Sequence, residues 1–427
     1  LSWTDKAVSV LFNQTYTSSA GTNGDKPTDP WYKTAEDIPG YGKSRSELTA
    51  TDWKQASEEE ASARKNGKTE LQLSDMIGVP IDDAKWGTFM NQLTFDEMTY
   101  ISNNSRYTSP ALPAIGKPAT IDRDGPGQVL SATSERSTFW CCETTIAATY
   151  NTELAYEMGY QLGQECIIMG VTGWYGPGVN IHRLAFNGRN FEYYSQDGRQ
   201  GGWIAAAVIK GATDNGIHVF AKHYVCNDME TDRNSGGGVS IFLTEQALRE
   251  TYLRPFEIAV KQGEANGIMS AFNRVGATWA GGSKPLLTDI LRTEWGFRGV
   301  VVTDWSTGDG YMNPTQGVRA GNDTWLNPNN VNGAPLSRNS DTDLYLARQA
   351  AKNMLYTIFD TYCYYDDYDP ADGEFTASVG IRSVDKVFPW WIPVLVGMNV
   401  IVAGVVIWRV LAAFLPRRKK EKPSVTE

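Results

Sequence analysis

Two hydrophobic periods alternate along the middle of this chain. Leu154, Met158, Leu162 and Cys166 recur at four-residue steps, which places them on one face of a helix over roughly residues 151–169. Similar helices are predicted over about 201–213, 245–263 and 343–359. Residues 82–98 read as a helical pair, with Thr94 capping the second member at 95–101. Residues 286–295 carry apolar side chains at helical spacing, with Pro285 suited to the first turn and Gly296 to the position just past the end. Between the helices stand short runs of strand character. The clearest is Arg298-Gly-Val-Val-Val-Thr-Asp304-Trp305, whose three valines read as a strand buried on both faces. Other strands are predicted to end near residues 124, 181, 223 and 272.

Strand and helix in alternation predict parallel βα units. No glycine-rich phosphate turn follows the first strand, and Gly236–Gly238 opens no GxGxxG or GKS/T pattern, which argues against a nucleotide-binding sheet. Polar residues at the ends of several strands favour an α/β fold of the (β/α)8 TIM-like barrel type, with its active face at those ends. The barrel is expected over 71–362. Residues 1–70 are polar and irregular and read as a linker or arm from an upstream domain, with Glu58, Glu59 and Glu60 as a solvated helix face. The chain opens at Leu1 with neither Met nor an apolar leader, which reads as a piece of a longer protein.

The C-terminal pattern differs in kind. Residues 390–408 carry no charge and are long enough to cross a bilayer as a helix. Trp390, Trp391 and Trp408 stand where interfacial aromatics belong, and Pro393 and Asn399 are the interior interruptions. Arg409, Arg417, Arg418, Lys419, Lys420 and Lys422 follow. A juxtamembrane linker at 363–387, a transmembrane helix at 388–415 and a basic tail at 416–427 are therefore expected. The tail would be cytoplasmic and the large domain extracellular, in a single-pass cell-membrane protein.

Composition narrows the chemistry. The net charge is −10, and no basic stripe precedes the extreme C-terminus, so nucleic acid is not an expected partner. Five cysteines without CxxC spacing and three histidines argue against a disulfide framework or a zinc site, and no metal or cofactor is expected. The predicted strand ends and their loops supply Asp124, Arg189, Lys222, His223, Met269, Phe272, Asp304 and Trp305. Cations beside carboxylates keep the carboxylates ionised. Asp124 suits adjacent hydroxyls of one sugar, Lys222, His223 and Arg189 can donate to neighbouring hydroxyls, and Trp305 offers an apolar face. A glycoside fits this set better than a phosphate. Each residue also has a plainer reading: Asp304 as a loop cap, Arg189 as the partner of Glu192 or Asp197, His223 as a satisfied core histidine, Lys222 as a Schiff-base lysine.

The block 180–197 (NIHRLAFNGRNFEYYSQD), the Lys222-His223 strand end, 268–274 (IMSAFNR) and 286–305 (LLTDILRTEWGFRGVVVTDW) resemble the barrel domain of glycoside hydrolase family 3 over roughly residues 71–359. The resemblance implies a retaining mechanism in which Asp304 is the nucleophile and forms a covalent glycosyl-enzyme. It also implies that Asp124, Arg189, Lys222, His223, Met269 and Trp305 line the −1 sugar subsite. Phe272 stands there where the family usually has Tyr. The family's acid/base is a Glu on an α/β-sandwich domain, which is expected upstream of this chain, as in members of reversed domain order. Asp228 and Glu230, in the loop after the Lys-His pair, are weaker acid candidates. The expected activity is that of a β-glucosidase removing terminal β-D-glucosyl residues from an oligosaccharide or β-glucoside. The alternative is a membrane-anchored carbohydrate-binding protein whose barrel is hydrolytically impaired.

Overall fold

The computed structural model describes residues 55–105, 107–130, 137–233, 237–306, 311–326, 335–359, 361 and 391–414. Most of the expected N-terminal arm, the 363–387 linker and the 416–427 tail lie outside the described residues. The chain divides into two units, Leu1–Val379 and Gly380–Glu427.

In the first unit six strands form one sheet: β1 (Thr108–Ser109), β2 (Thr120–Asp124), β3 (Gly173–Tyr175), β4 (His218–Tyr224), β6 (Gly267–Ser270) and β9 (Val300–Thr303), in that order. All neighbours pair in parallel except β1 with β2. Of the eight parallel strands expected, the described residues thus supply five, one antiparallel edge and a bridge from Val302 to Thr324. The valine run explains itself in this sheet. Val301 packs into the cluster shared with the outer helices, while Val300 and Val302 pack inward with Tyr175, Phe220 and Met269. A strand covered on both faces needs apolar side chains at every position. Outside the sheet, the helices Thr152–Ile168 and Gly198–Thr213 touch backbone to backbone: a Cβ at Gly159 would lie 2.0 Å from the Val208 carbonyl oxygen.

The ends of this sheet meet through a side chain. Residues 323–326 run beside β9, with Asp323 N–H donating to Val301 O at 2.8 Å and Leu326 N–H to Thr303 Oγ1 at 3.1 Å. The buried Thr324 hydroxyl then reaches the carbonyls of Ser102 and Ser105, at 3.0 and 3.3 Å, just before β1. Thr324→Val would leave those carbonyls without this donor. It is expected to cost about 1–2 kcal/mol in urea unfolding followed by tryptophan fluorescence.

Several elements depart from expectation, for identifiable reasons. The second strand stops at Tyr175 rather than near residue 181. Pro177 cannot donate to a ladder, and the chain rejoins β4 by a single bridge, Gly178 to Lys222. The helix expected over 245–263 is in three pieces, Glu245–Ala247, a π-type turn Leu248–Tyr252 and Arg254–Lys261. Pro255 lacks the N–H that a regular turn needs there. The fourth strand ends at Ser270, and β7 (Arg274–Val275) joins β5 (Ser240–Ile241) and β8 (Thr278–Trp279) in a separate small sheet. A helix at Pro314–Ala320 was not anticipated, although Asn313 caps it, Pro314 opens it and Gly321 (φ +114°) closes it. The Glu58–Ser62 helix does present its three glutamates to solvent.

Among its described residues the second unit contains one helix, Trp391–Phe414, whose stretch Pro393–Ala412 is apolar and long enough to cross a membrane. Asn399 Nδ2 donates back to Leu395 O at 2.8 Å, so part of its polarity is satisfied inside its own helix.

Candidate functional site

The C-terminal ends of the parallel strands bring four of the expected residues together. Asp124 ends β2, Lys222 and His223 lie near the end of β4, and Asp304 follows β9. Register explains the arrangement. Lys222 pairs with Met269, and Met269 with Val302, so these three share a layer and a face. Asp304, two residues past Val302, points to the same side one layer higher. Met269 itself is buried in the barrel-interior cluster below the carboxylates.

Lys222 Nζ donates to Asp124 Oδ1 at 2.5 Å, and Gly125 N–H donates to the same oxygen at 2.7 Å. Burial alone would raise the Asp124 pKa. The Lys222 charge and these hydrogen bonds outweigh it and hold the carboxyl below its ordinary value. Lys222, with its ammonium engaged in this pair, is not presented as a free amine nucleophile.

Asp304 is in the opposite condition. Its N–H donates to Ser270 O at 3.0 Å, and Trp305 N–H donates to its Oδ1 at 2.7 Å, so the loop-cap role is real for one oxygen. The other, Oδ2, is buried without a hydrogen-bond partner among the described residues and lies 3.6 Å from His223 Nε2. Burial pushes the Asp304 pKa up to about 6, against the pull of Arg189, the Trp305 N–H, Lys222 and Arg233. Trp305 is partly exposed beside it.

Arg189 connects the set. It pairs closely with Glu192, stands 3.8 Å from Glu230, and donates from Nη2 to His223 Nε2 at 3.1 Å. Because arginine only donates, His223 Nε2 accepts and its proton sits on Nδ1, 3.3 Å from Tyr193 Oη. Burial, Arg189, Lys222 and Arg233 hold His223 well below the ordinary histidine value, so the ring is neutral. Burial opposes the Arg189 charge, but the acidic groups around it hold the guanidinium above its ordinary pKa. The plainer readings of Arg189 and His223 therefore hold: both are satisfied residues beside Asp304.

Phe272 is buried past the end of β6, and its ring carries the Arg233 guanidinium at 4.9 Å. Arg233 donates to Glu230 at 2.7 Å. Of the two acid candidates in this loop, Glu230 is engaged by Arg233 and Arg189, while Asp228 is fully buried and faces Arg183 at 3.4 Å. The other Asp228 oxygen, Oδ1, has no hydrogen-bond partner among the described residues, and burial pushes the Asp228 pKa up to about 6. Arg233 and Glu230 as supports of Arg189 were missed in the sequence. The three-residue spacing of Arg233 from Glu230 was the available signal. Among the described residues no group of three or more His, Cys, Asp and Glu side chains is arranged to hold a metal ion.

Residues 81–332 match the Glycosyl hydrolase family 3 N terminal domain. The chain belongs to glycoside hydrolase family 3. A putative beta-glucosidase of Schizosaccharomyces pombe is 34% identical over 275 residues, 64% of this chain and 32% of that protein. A beta-glucosidase of Bacteroides ovatus is 36% identical over 259 residues, 57% of this chain and 34% of its own. Among solved structures, beta-glucosidase 3B from Thermotoga neapolitana in complex with glucose superposes with a TM-score of 0.56 at 30% identity, covering 66% of this chain and 43% of that one. The family 3 chain thus spans about a third of the length of these curated relatives. Its fold is the TIM-like barrel of the family's N-terminal domain, of which the six-stranded sheet is the described part.

Proposed function

We propose that this family 3 domain is the barrel of a retaining β-glucosidase that removes terminal β-D-glucosyl residues, with Asp304 as the nucleophile. The observation that carries the reading is the buried, unpartnered Oδ2 of Asp304 at a strand end, beside the neutral His223 ring and within the field of Arg189 and Lys222, while its other oxygen is tied to Trp305 N–H. In the first step Oδ2 bonds to the anomeric carbon and the glycosidic oxygen leaves with a proton from an acid. In the second step water attacks the same carbon and the Asp304 carboxylate is released. Arg189, Lys222 and Asp124 hold the sugar's hydroxyls, the His223 ring that Arg189 orients lines the subsite beside Asp304, Trp305 and Phe272 bound the pocket, and Met269 supports it from below. The acid/base is a Glu of an α/β-sandwich domain upstream of residues 1–70, an order reversed from the usual one. The barrel is residues 71–362, anchored by the helix at 388–415, with an extracellular catalytic domain and a cytoplasmic tail. What supports the anchor is the apolar length of Pro393–Ala412, which carries a single charge, Arg409, near its end.

Proton NMR of 4-nitrophenyl β-D-glucoside hydrolysis by the full-length protein tests the mechanism: β-glucose is expected as the first product. Appearance of α-glucose first would contradict retention. The pH dependence carries a second expectation. Attack needs ionised Asp304, so kcat/KM of the full-length protein should fall as pH drops through about 6. The same shift has a stability consequence of known sign. A raised folded-state pKa contributes stability that is full below the ordinary value of 3.8 and lost as pH rises through about 6. Asp304→Asn should therefore stabilise the fold by about 3 kcal/mol near neutral pH and by nothing below about pH 3, measured by denaturant unfolding at both.

The absence of a hydroxyl on Phe272, where the family usually has Tyr, favours a second reading, a carbohydrate-binding barrel with impaired hydrolysis. It predicts glucose binding without turnover in the full-length protein.

A further inference from the structure

Tyr107 stands just before β1, and Asp122 N–H donates to its carbonyl at 2.8 Å, so its backbone is fixed against β2 two residues before Asp124. Its ring lies between the end of β3 and the residue two past β9. The ring centroid is 5.4 Å from that of Tyr175 and 6.0 Å from that of Trp305, tilted by 42° and 47°. The neighbouring buried tyrosines spend their hydroxyls inside the protein: Tyr175 on Asp122, Tyr193 on Asn227 O, Tyr224 on Leu286 O. Tyr107 is only half-buried, and its hydroxyl has no hydrogen-bond partner among the described residues.

We propose that Tyr107 is a further substrate-contact residue of this site, its ring continuing the apolar wall begun by Trp305 and its hydroxyl donating to an oxygen of the bound sugar. The inference rests on the β-glucoside reading. A phenol can both donate and accept, and a half-exposed one without an internal partner is free to bind a ligand. Burial and then the charges of Asp124 and Asp304 push its pKa up to about 12, so it stays protonated and keeps its donor. The competing role is packing alone, in which the ring fills the gap between Tyr175 and Trp305 and the hydroxyl is idle.

Isothermal titration of the full-length protein with glucose and its monodeoxy derivatives separates the two roles. Tyr107→Phe keeps the ring and is expected to weaken glucose binding about tenfold. One monodeoxyglucose should bind the wild-type protein correspondingly less tightly than glucose and lose no further affinity in the variant. Tyr107→Ala should weaken binding more. If Tyr107→Phe binds glucose and every deoxyglucose as the wild type does, the hydroxyl contact is overturned, whether or not the alanine variant folds. If the wild-type protein itself binds no glucose, the β-glucoside reading falls and the Tyr107 assignment falls with it.

Discussion

Asp304→Asn is expected to lower kcat/KM for an aryl β-D-glucoside by on the order of 10⁴-fold in the full-length protein. The substitution removes one function and little else. The amide oxygen can still accept from Trp305 N–H, which holds the Asp304 side chain at 2.7 Å, and the Asp304 N–H bond to Ser270 O is a backbone bond. What is lost is the anionic Oδ2 that would bond to the anomeric carbon. Since the same variant is expected to be the more stable one near neutral pH, loss of activity cannot be assigned to unfolding. Asp304→Gly with added azide gives a positive readout: a small anion entering from the vacated side should yield an α-glucosyl azide. A variant that keeps a tenth or more of the wild-type kcat/KM would remove Asp304 from the nucleophile's role.

The second large effect is expected at Lys222. Its ammonium is nearly fully buried and donates to Asp124 at 2.5 Å, while Asp124 remains partly open to the site. Lys222→Met leaves that carboxylate without its counterion in a poorly solvated place. Removing one partner of a fully buried pair costs about 3–5 kcal/mol. Solvent access on the Asp124 side argues for the lower end of that loss in denaturant unfolding, and the loss of a donor to the sugar and of the charge orienting Asp124 is separately expected to lower kcat/KM about 10²-fold. The Asp124 pKa should rise at the same time, because Lys222 is the principal charge holding it down against burial. Steady-state kinetics across pH would then show a new loss on the acid side. Lys222→Arg should recover little, since a planar guanidinium does not fit the place of a compact ammonium.

Much of this site was legible in the sequence because it is built from strand ends. A buried parallel strand announces itself by an unbroken apolar run, and the residue after the run faces the active end. Thus Val300–Thr303 located Asp304, and the strand before residue 223 located Lys222 and His223. The Thr94 cap and the helix Thr152–Ile168 were equally readable, being set by local hydrogen bonds and a single apolar face. What escaped was short, irregular or non-local. β1 and β7 are two residues long and too short to show a period. The π-type turn at Leu248–Tyr252 keeps a helical sequence pattern, so only the later Pro255 hinted at it. Tyr107 belongs to no periodic segment and gains its place only when Trp305, far along the chain, is brought beside it. Met269 shows the converse: its strand was found, but only the register places its side chain in the layer beneath the carboxylates.

The central claim is that Asp304 becomes covalently bonded to the sugar, and trapping addresses it directly. The full-length protein would be inactivated with a 2-deoxy-2-fluoro-β-glucoside bearing a good leaving group, digested and analysed by mass spectrometry. A fluoroglucosyl label on the Asp304 side chain, absent after Asp304→Asn, is the predicted result. A label on any other residue, or none after complete inactivation, would contradict the account.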